Sequence, residues 1–137
     1  MIRRHSGRRG SHTSLRRKKR KASMKLCDAA FSKLVRNHGY CQGTGYVSPF
    51  DGREIECKGP LQCAHIMSRV YRATRWSWDN ALCLCAAHHL WWTHHPLEWH
   101  EFVEDKIGEH AYEALRRRAR QMTRVDYAEV LRSMEGA

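Results

Sequence analysis

Leu61-Gln62-Cys63-Ala64-His65-Ile66-Met67 and Asn80-Ala81-Leu82-Cys83-Leu84-Cys85, the latter running straight into Ala86-Ala87-His88-His89, decide how this chain folds. Each of the first two runs is short, apolar and flanked by turn-forming or polar residues, which predicts a strand over 61–67 and another over 80–85. Between them Ser68–Asp79 is a polar loop that carries Arg69, Arg72 and Arg75 beside Trp76 and Trp78, and the two strands can pair across it as a hairpin. From Ala86 the pattern is helical to about His95. Pro96 then breaks the helix and can itself open the next at its first position.

Outward from this hairpin the chain reads as helices. Leu97, Trp99, Phe102, Val103 and Ile107 give the segment after Pro96 an apolar face, and Gly108 ends it. A further helix is expected over about 109–121. Thr123-Arg124-Val125-Asp126 has the form of a capping box before a last helix at about 124–134. Upstream, Leu26, Ala30, Phe31, Leu34 and Val35 recur at helical spacing from Ser23 onward, with Gly39 as the stop. Residues 40–60 are punctuated by Gly43, Gly45, Pro49, Asp51-Gly52 and Gly59-Pro60 and read as irregular. Trp91, Trp92 and Trp99 are expected in the core, and Arg116, Arg117, Arg118 and Arg120 on a solvated helix face.

The charge is unevenly placed. The 137 residues carry 25 Lys and Arg against 14 Asp and Glu, a formal net charge of +11. Arg3, Arg4, Arg8, Arg9, Arg16, Arg17, Lys18, Lys19, Arg20 and Lys21 all precede the first acidic residue, Asp28, so the rest of the chain is nearly neutral. Such a stretch repels itself and has nothing to bury, which predicts a disordered basic arm over 1–22 ahead of a folded unit over 23–137. A polyanion is its natural partner, and DNA contacts are expected at Arg16, Arg17, Lys18, Lys19, Arg20 and Lys21. The same run could serve as a solubilising arm or an import signal. No apolar run long enough for a membrane span or a secretory leader is visible, so a cytoplasmic protein is expected.

Six cysteines accompany ten histidines, five of them His88, His89, His94, His95 and His100. A disulfide framework has no need of histidine, whereas a zinc site does. Cys85-Ala-Ala-His88 lets one tight turn offer a thiolate and an imidazole to a single tetrahedral ion. Cys41 and Cys57 sit in turns and complete the candidate structural zinc set of Cys41, Cys57, Cys85 and His88. Cys63 and Cys83 lie inside strands and are read as buried thiols, either of which could stand in for a member of that set.

Taken together, His65 before Ile66, then Asn80 followed at +5, +8 and +9 by Cys85, His88 and His89, resemble the HNH (His-Me finger) endonucleases. The stretch over about 38–118 is similar to phage-encoded members, including the recombination-endonuclease branch of lambdoid phages. The resemblance implies an α+β fold: a zinc-stapled ββα-metal core over about 61–95, a helical C-terminal wrap over 96–135 and the basic arm. It implies a metal-dependent endonuclease that hydrolyses, or nicks, DNA in phage DNA processing, recombination or packaging within the host cytoplasm. Phage packaging or recombination proteins are the partners it suggests besides DNA. His65 is then the general base, His89 a ligand of a catalytic Mg²⁺, Mn²⁺ or Zn²⁺, and Asn80 the residue that fixes the loop and orients the hairpin. Arg69, Arg72 and Arg75 would contact phosphate. Where many members carry Asp or His before the base, this chain has Ala64, so further metal bonds must come from His94, His95, Cys63, water or substrate. A non-catalytic zinc module that binds nucleic acid, or a structural packaging partner, is the rival reading.

Overall fold

The computed structural model describes residues 11–136 and is an α+β chain, five helices around a two-stranded sheet. Helix α1 spans Ser11–Arg36, and after an irregular stretch strand β1 spans Leu61–His65. A single 3-10 turn at Trp78–Asn80 leads into β2, Ala81–Cys85, which passes without a linker into α2, Ala86–Thr93. Helices α3 (Pro96–Ile107), α4 (Glu109–Ala119) and α5 (Tyr127–Met134) follow. No described helix is long and apolar enough to cross a membrane.

The strands are antiparallel, with Leu61 opposite Cys85, Cys63 opposite Cys83 and His65 opposite Ala81. Successive side chains of a strand point to opposite faces, and both faces of this hairpin are covered. Ala64, Leu82 and Leu84 pack with Trp92 and Val103 on one side, backed by Trp99 and Phe102. Cys83 packs with Cys27, Phe31, Val35 and Met134 on the other, with Cys63 beside them. The hairpin is thus a thin sheet held between α2 and α3 on one face and α1 and α5 on the other. Trp92 is 3% exposed and stacks on Phe102 at 4.3 Å, the anchor role expected of it.

Pro96 opens α3, and Gly108 closes it with φ 89°. Helix α5 begins later than the sequence suggests. Its cap is Asp126, whose carboxylate accepts from the Glu129 N–H, and not Thr123. The larger difference concerns the arm. Residues 1–10 lie outside the described residues, but 11–22 are helical and continuous with α1. Cys27, Phe31 and Val35 are buried and nucleate the helix, and extending a formed helix through Lys and Arg, which are good helix formers, costs little. Composition alone misses this because it cannot see the tertiary anchor.

Candidate functional site

Cys41, Cys57, Cys85 and His88 converge. Their ligand atoms all lie within 4.8 Å of one another. Nδ1 of His88 is 3.6 Å from Cys41 Sγ, 3.6 Å from Cys57 Sγ and 3.0 Å from Cys85 Sγ. A tetrahedral ion with bonds of about 2.3 Å to sulfur and 2.0 Å to nitrogen would set S and N about 3.5 Å apart, so the donor set fits one metal ion and is consistent with structural zinc. Burial alone would raise the Cys85 thiol, but hydrogen bonds from the backbone and ring of His88 and the backbone of Lys58 bring it down to about 6. Cys41, by contrast, is pushed up by burial. All six cysteines are free of disulfides.

Local backbone explains how four distant positions meet. Gln42 exchanges backbone and side-chain hydrogen bonds with Cys83, which lays the Cys41 loop along β2. A Cβ at Gly43 would lie 2.8 Å from the Trp92 ring and 3.0 Å from that of His88, so only glycine lets this loop rest on α2. The Cys57 turn is tied to the start of α2 by Ala86 N–H to Pro60 O and Ala87 N–H to Lys58 O. Gly59, at φ 81°, sits where a Cβ would strike that of Ala86.

His65 and His89 share a cleft bordered by Asp28, Ser32, Cys63, Ser68 and Arg69. A smaller hollow next to it is lined by the same two imidazoles with Ala64, Thr93 and Trp99. Nε2 of His65 lies 2.8 Å from the Arg75 carbonyl. A carbonyl can only accept, so Nε2 carries the proton and Nδ1 keeps its lone pair. Desolvation lowers the His65 pKa below the usual imidazole value, aided by the charge of Arg69 and opposed by the Arg75 hydrogen bond. Nδ1 of His89 lies 2.8 Å from Oε1 of Gln62. With Nδ1 donating, Nε2 of His89 is left as an acceptor or ligand. Burial lowers this pKa as well.

Asn80 is fully buried and holds the loop between the strands. Its Oδ1 accepts from Met67 N–H at 2.7 Å, and its Nδ2 donates to Met67 O at 3.1 Å and Thr74 O at 2.9 Å. The loop so held is the one whose Arg75 carbonyl orients His65.

Two expected site residues are placed elsewhere. His94 is the C-cap of α2 and lines a surface with Glu54, Ile55, Leu90 and Trp91, away from the cleft; in its place Thr93, one turn from His89, faces the hollow. The helix does end at Thr93, but the chain leaving it turns His94 toward that surface and not into the cleft. Arg75 is not a free phosphate contact. Its guanidinium, 14% exposed, grips Asp28 through two hydrogen bonds of 3.0 and 2.7 Å. Burial would raise the Asp28 carboxyl, but this pairing and a hydrogen bond from Trp76 Nε1 hold it below the usual range. Arg69 and Arg72 remain exposed. Cys63 borders the cleft, but burial pushes its thiol up to about 12, so it is a neutral wall. Arg118, expected on a solvated face, pairs with Asp79 and ties α4 to the loop.

Sequence reasoning missed Gln62, Asp28 and the Arg75 carbonyl. Only Gln62 had a signal, a lone amide in an otherwise apolar strand. No protein-family model matches the chain, and comparison with curated proteins and with solved structures likewise returns no match.

Proposed function

We propose that this chain is a metal-dependent endonuclease that hydrolyses DNA phosphodiester bonds through an HNH-type ββα site, as in phage DNA processing. One observation carries the reading: two imidazoles share a cleft, each with one ring nitrogen hydrogen-bonded to a fixed acceptor, which leaves the other nitrogen its lone pair. Fixed tautomers on two imidazoles that border one cleft suit a base and a metal ligand.

In this reading Nδ1 of His65 takes the proton from the attacking water. Its depressed pKa keeps it neutral at pH 7 and able to do so. His89 would hold the cation through Nε2, with water and substrate phosphate as further ligands, because Ala64 offers none and Asp28 is occupied by Arg75. A divalent cation there would neutralise phosphate charge and stabilise the departing 3′ oxygen. Gln62 positions His89, the Arg75 carbonyl positions His65, and Asn80 positions the loop that supplies that carbonyl. Structural zinc at Cys41, Cys57, Cys85 and His88 would clamp the first turn of α2, in which His89 is the next residue. In a core this small such a clamp replaces apolar packing.

The rival is a zinc module that binds nucleic acid without cutting it, and the absence of a free carboxylate beside His89 favours it. Supercoiled plasmid incubated with Mn²⁺ or Mg²⁺ decides between them. The nuclease reading expects relaxed or linear product from the wild type and a loss of about 10²–10⁴-fold in rate for His65→Ala. DNA binding without any cleavage would establish the rival.

A further inference from the structure

We infer that one flank of α1 is a phosphate-tracking rail for duplex DNA, formed by Arg17, Lys21 and Lys25 and leading into the His65–His89 cleft; this rests on the nuclease reading for what lies at its end. The argument begins with α1 at the cleft, where Asp28 and Ser32 form part of the wall. At 100° per residue, Lys21 lies on the line bisecting those two side chains, and Arg17 and Lys25 lie within about 40° of it. Arg16, Lys19 and Arg20 are turned about 100° or more away. The ten basic positions counted along the sequence therefore do not form one patch. The helix sorts those in it into a row on the cleft side and a set facing elsewhere, with Lys18, about 60° from the line, at the margin of the row.

Arg17, Lys21 and Lys25 are all exposed, and among the described residues none of them forms an ion pair. Like charges at i, i+4 repel weakly, and an anion lying along the row relieves that repulsion. The carboxylate at its inner end, Asp28, is neutralised by Arg75, so nothing negative interrupts the path to Arg69 and the imidazoles. From Arg17 to Ser32 the helix rises about 22 Å, the length of about 6–7 base pairs at 3.4 Å each. A stiff duplex can lie straight along a straight row of this length, since its persistence length is about 150 bp. A single strand has no such stiffness, which makes duplex the matching substrate.

Two triple variants test this at equal loss of charge. Arg17→Ala/Lys21→Ala/Lys25→Ala removes the row, and Arg16→Ala/Lys19→Ala/Arg20→Ala removes the other set. Alanine is the best helix former, so both should retain α1, and circular dichroism checks it. Binding to a 24-bp duplex, measured by anisotropy without added divalent cation, should weaken about tenfold or more for the row variant and about twofold or less for the other. The slope of log K against log salt should shrink by about 2–3 only for the row variant. On single-stranded DNA of the same length the two should be alike. Equal weakening of both on duplex overturns the rail, and an equal preference on single strands overturns the duplex assignment. A wild type that shows the binding pattern yet never cuts plasmid overturns the nuclease reading and leaves the rail standing. Cleavage with no difference between the triples does the reverse.

Discussion

Replacing Asn80 by alanine should cost far more than one polar side chain usually does. The amide is fully buried and makes three hydrogen bonds to the backbone at Met67 and Thr74. Alanine removes all three and strands the Met67 N–H and carbonyl, while the Thr74 carbonyl keeps only its bond from the Ser77 N–H. A hydrogen bond is worth about 0.5–1.5 kcal/mol net, and a group stranded without water about 1–3 kcal/mol. The loop is partly open to solvent at Met67, so about 1 kcal/mol per bond is the fitting value, or about 3 kcal/mol in all. For a domain of this size the melting temperature should fall by about 10 °C. The freed loop also carries the Arg75 carbonyl, so His65 loses its tether. A misplacement of about 1 Å can cost about 10²-fold in rate. Calorimetry and plasmid cleavage read the two effects, and metal content should stay unchanged because Cys41, Cys57, Cys85 and His88 lie outside the loop. A variant that melts within 2 °C (about 0.5 kcal/mol) of the wild type would refute the reasoning.

Elemental analysis should find one zinc per chain, and a strong chelator should unfold the protein; Cys63→Ser should retain the metal, while Cys85→Ser should lose it. Cleavage should fall on acidification with a midpoint below about 6.5, because burial depresses the His65 pKa and the base works only when neutral; an acid limb above that value would count against His65. The same depression means that the stability contributed by neutral His65 is present above its unfolded pKa and lost as pH falls through it toward the folded one. Arg75→Ala should destabilise by about 2 kcal/mol by stranding Asp28 in a partly buried site, whereas Arg69→Ala and Arg72→Ala should leave the melting temperature unchanged and weaken DNA binding only; equal melting temperatures for all three would refute the division. Gln62→Ala should raise the Mn²⁺ concentration needed for half-maximal cleavage by about 10–100-fold, with unchanged zinc content, because His89 loses the acceptor that fixes its ring.

What the sequence made legible was local. Cys85 and His88 sit one turn apart at a strand-to-helix junction, and residue spacing alone brings them together. Pro96 and Gly108 bound α3 through backbone constraints that act within a residue or two. Cys41 and Cys57 were found through chemistry, as turn cysteines in a chain rich in histidine, although nothing local brings them to Cys85. What stayed hidden depends on contacts across the fold. Asp28 meets Arg75 across 47 positions, and Gln62 meets His89 across 27. The start of α1 was misplaced for the same reason: charge density argues for disorder until Cys27, Phe31 and Val35 are seen to be buried against β2 and α5. Helical phase already sets Thr93, and not His94, on the His89 face, but where the chain turns His94 at the helix end depends on contacts the sequence does not show.

The electrostatics of the cleft form one consistent device. On the proposed nuclease reading, a phosphodiester must be drawn toward the site, which calls for positive charge, yet the base must not be protonated. A carboxylate beside His65 would raise its pKa and defeat the second need. Asp28 is the carboxylate that borders the cleft, and its charge does act on His65 in that direction. Arg75 answers it at 2.7 Å, and the charges of Arg75 and Arg69 both lower the pKa of His65. Burial is the main cause that keeps the imidazole neutral, and the exposed Arg69 at the cleft adds to it. Arg75 offsets the Asp28 charge, while its own carbonyl fixes which imidazole nitrogen carries the proton. Lysine at position 75 would keep the charge but lose the paired grip on Asp28, which needs a planar fork. Arginine at this position thus serves the pairing with Asp28, and its side chain is held against that carboxylate.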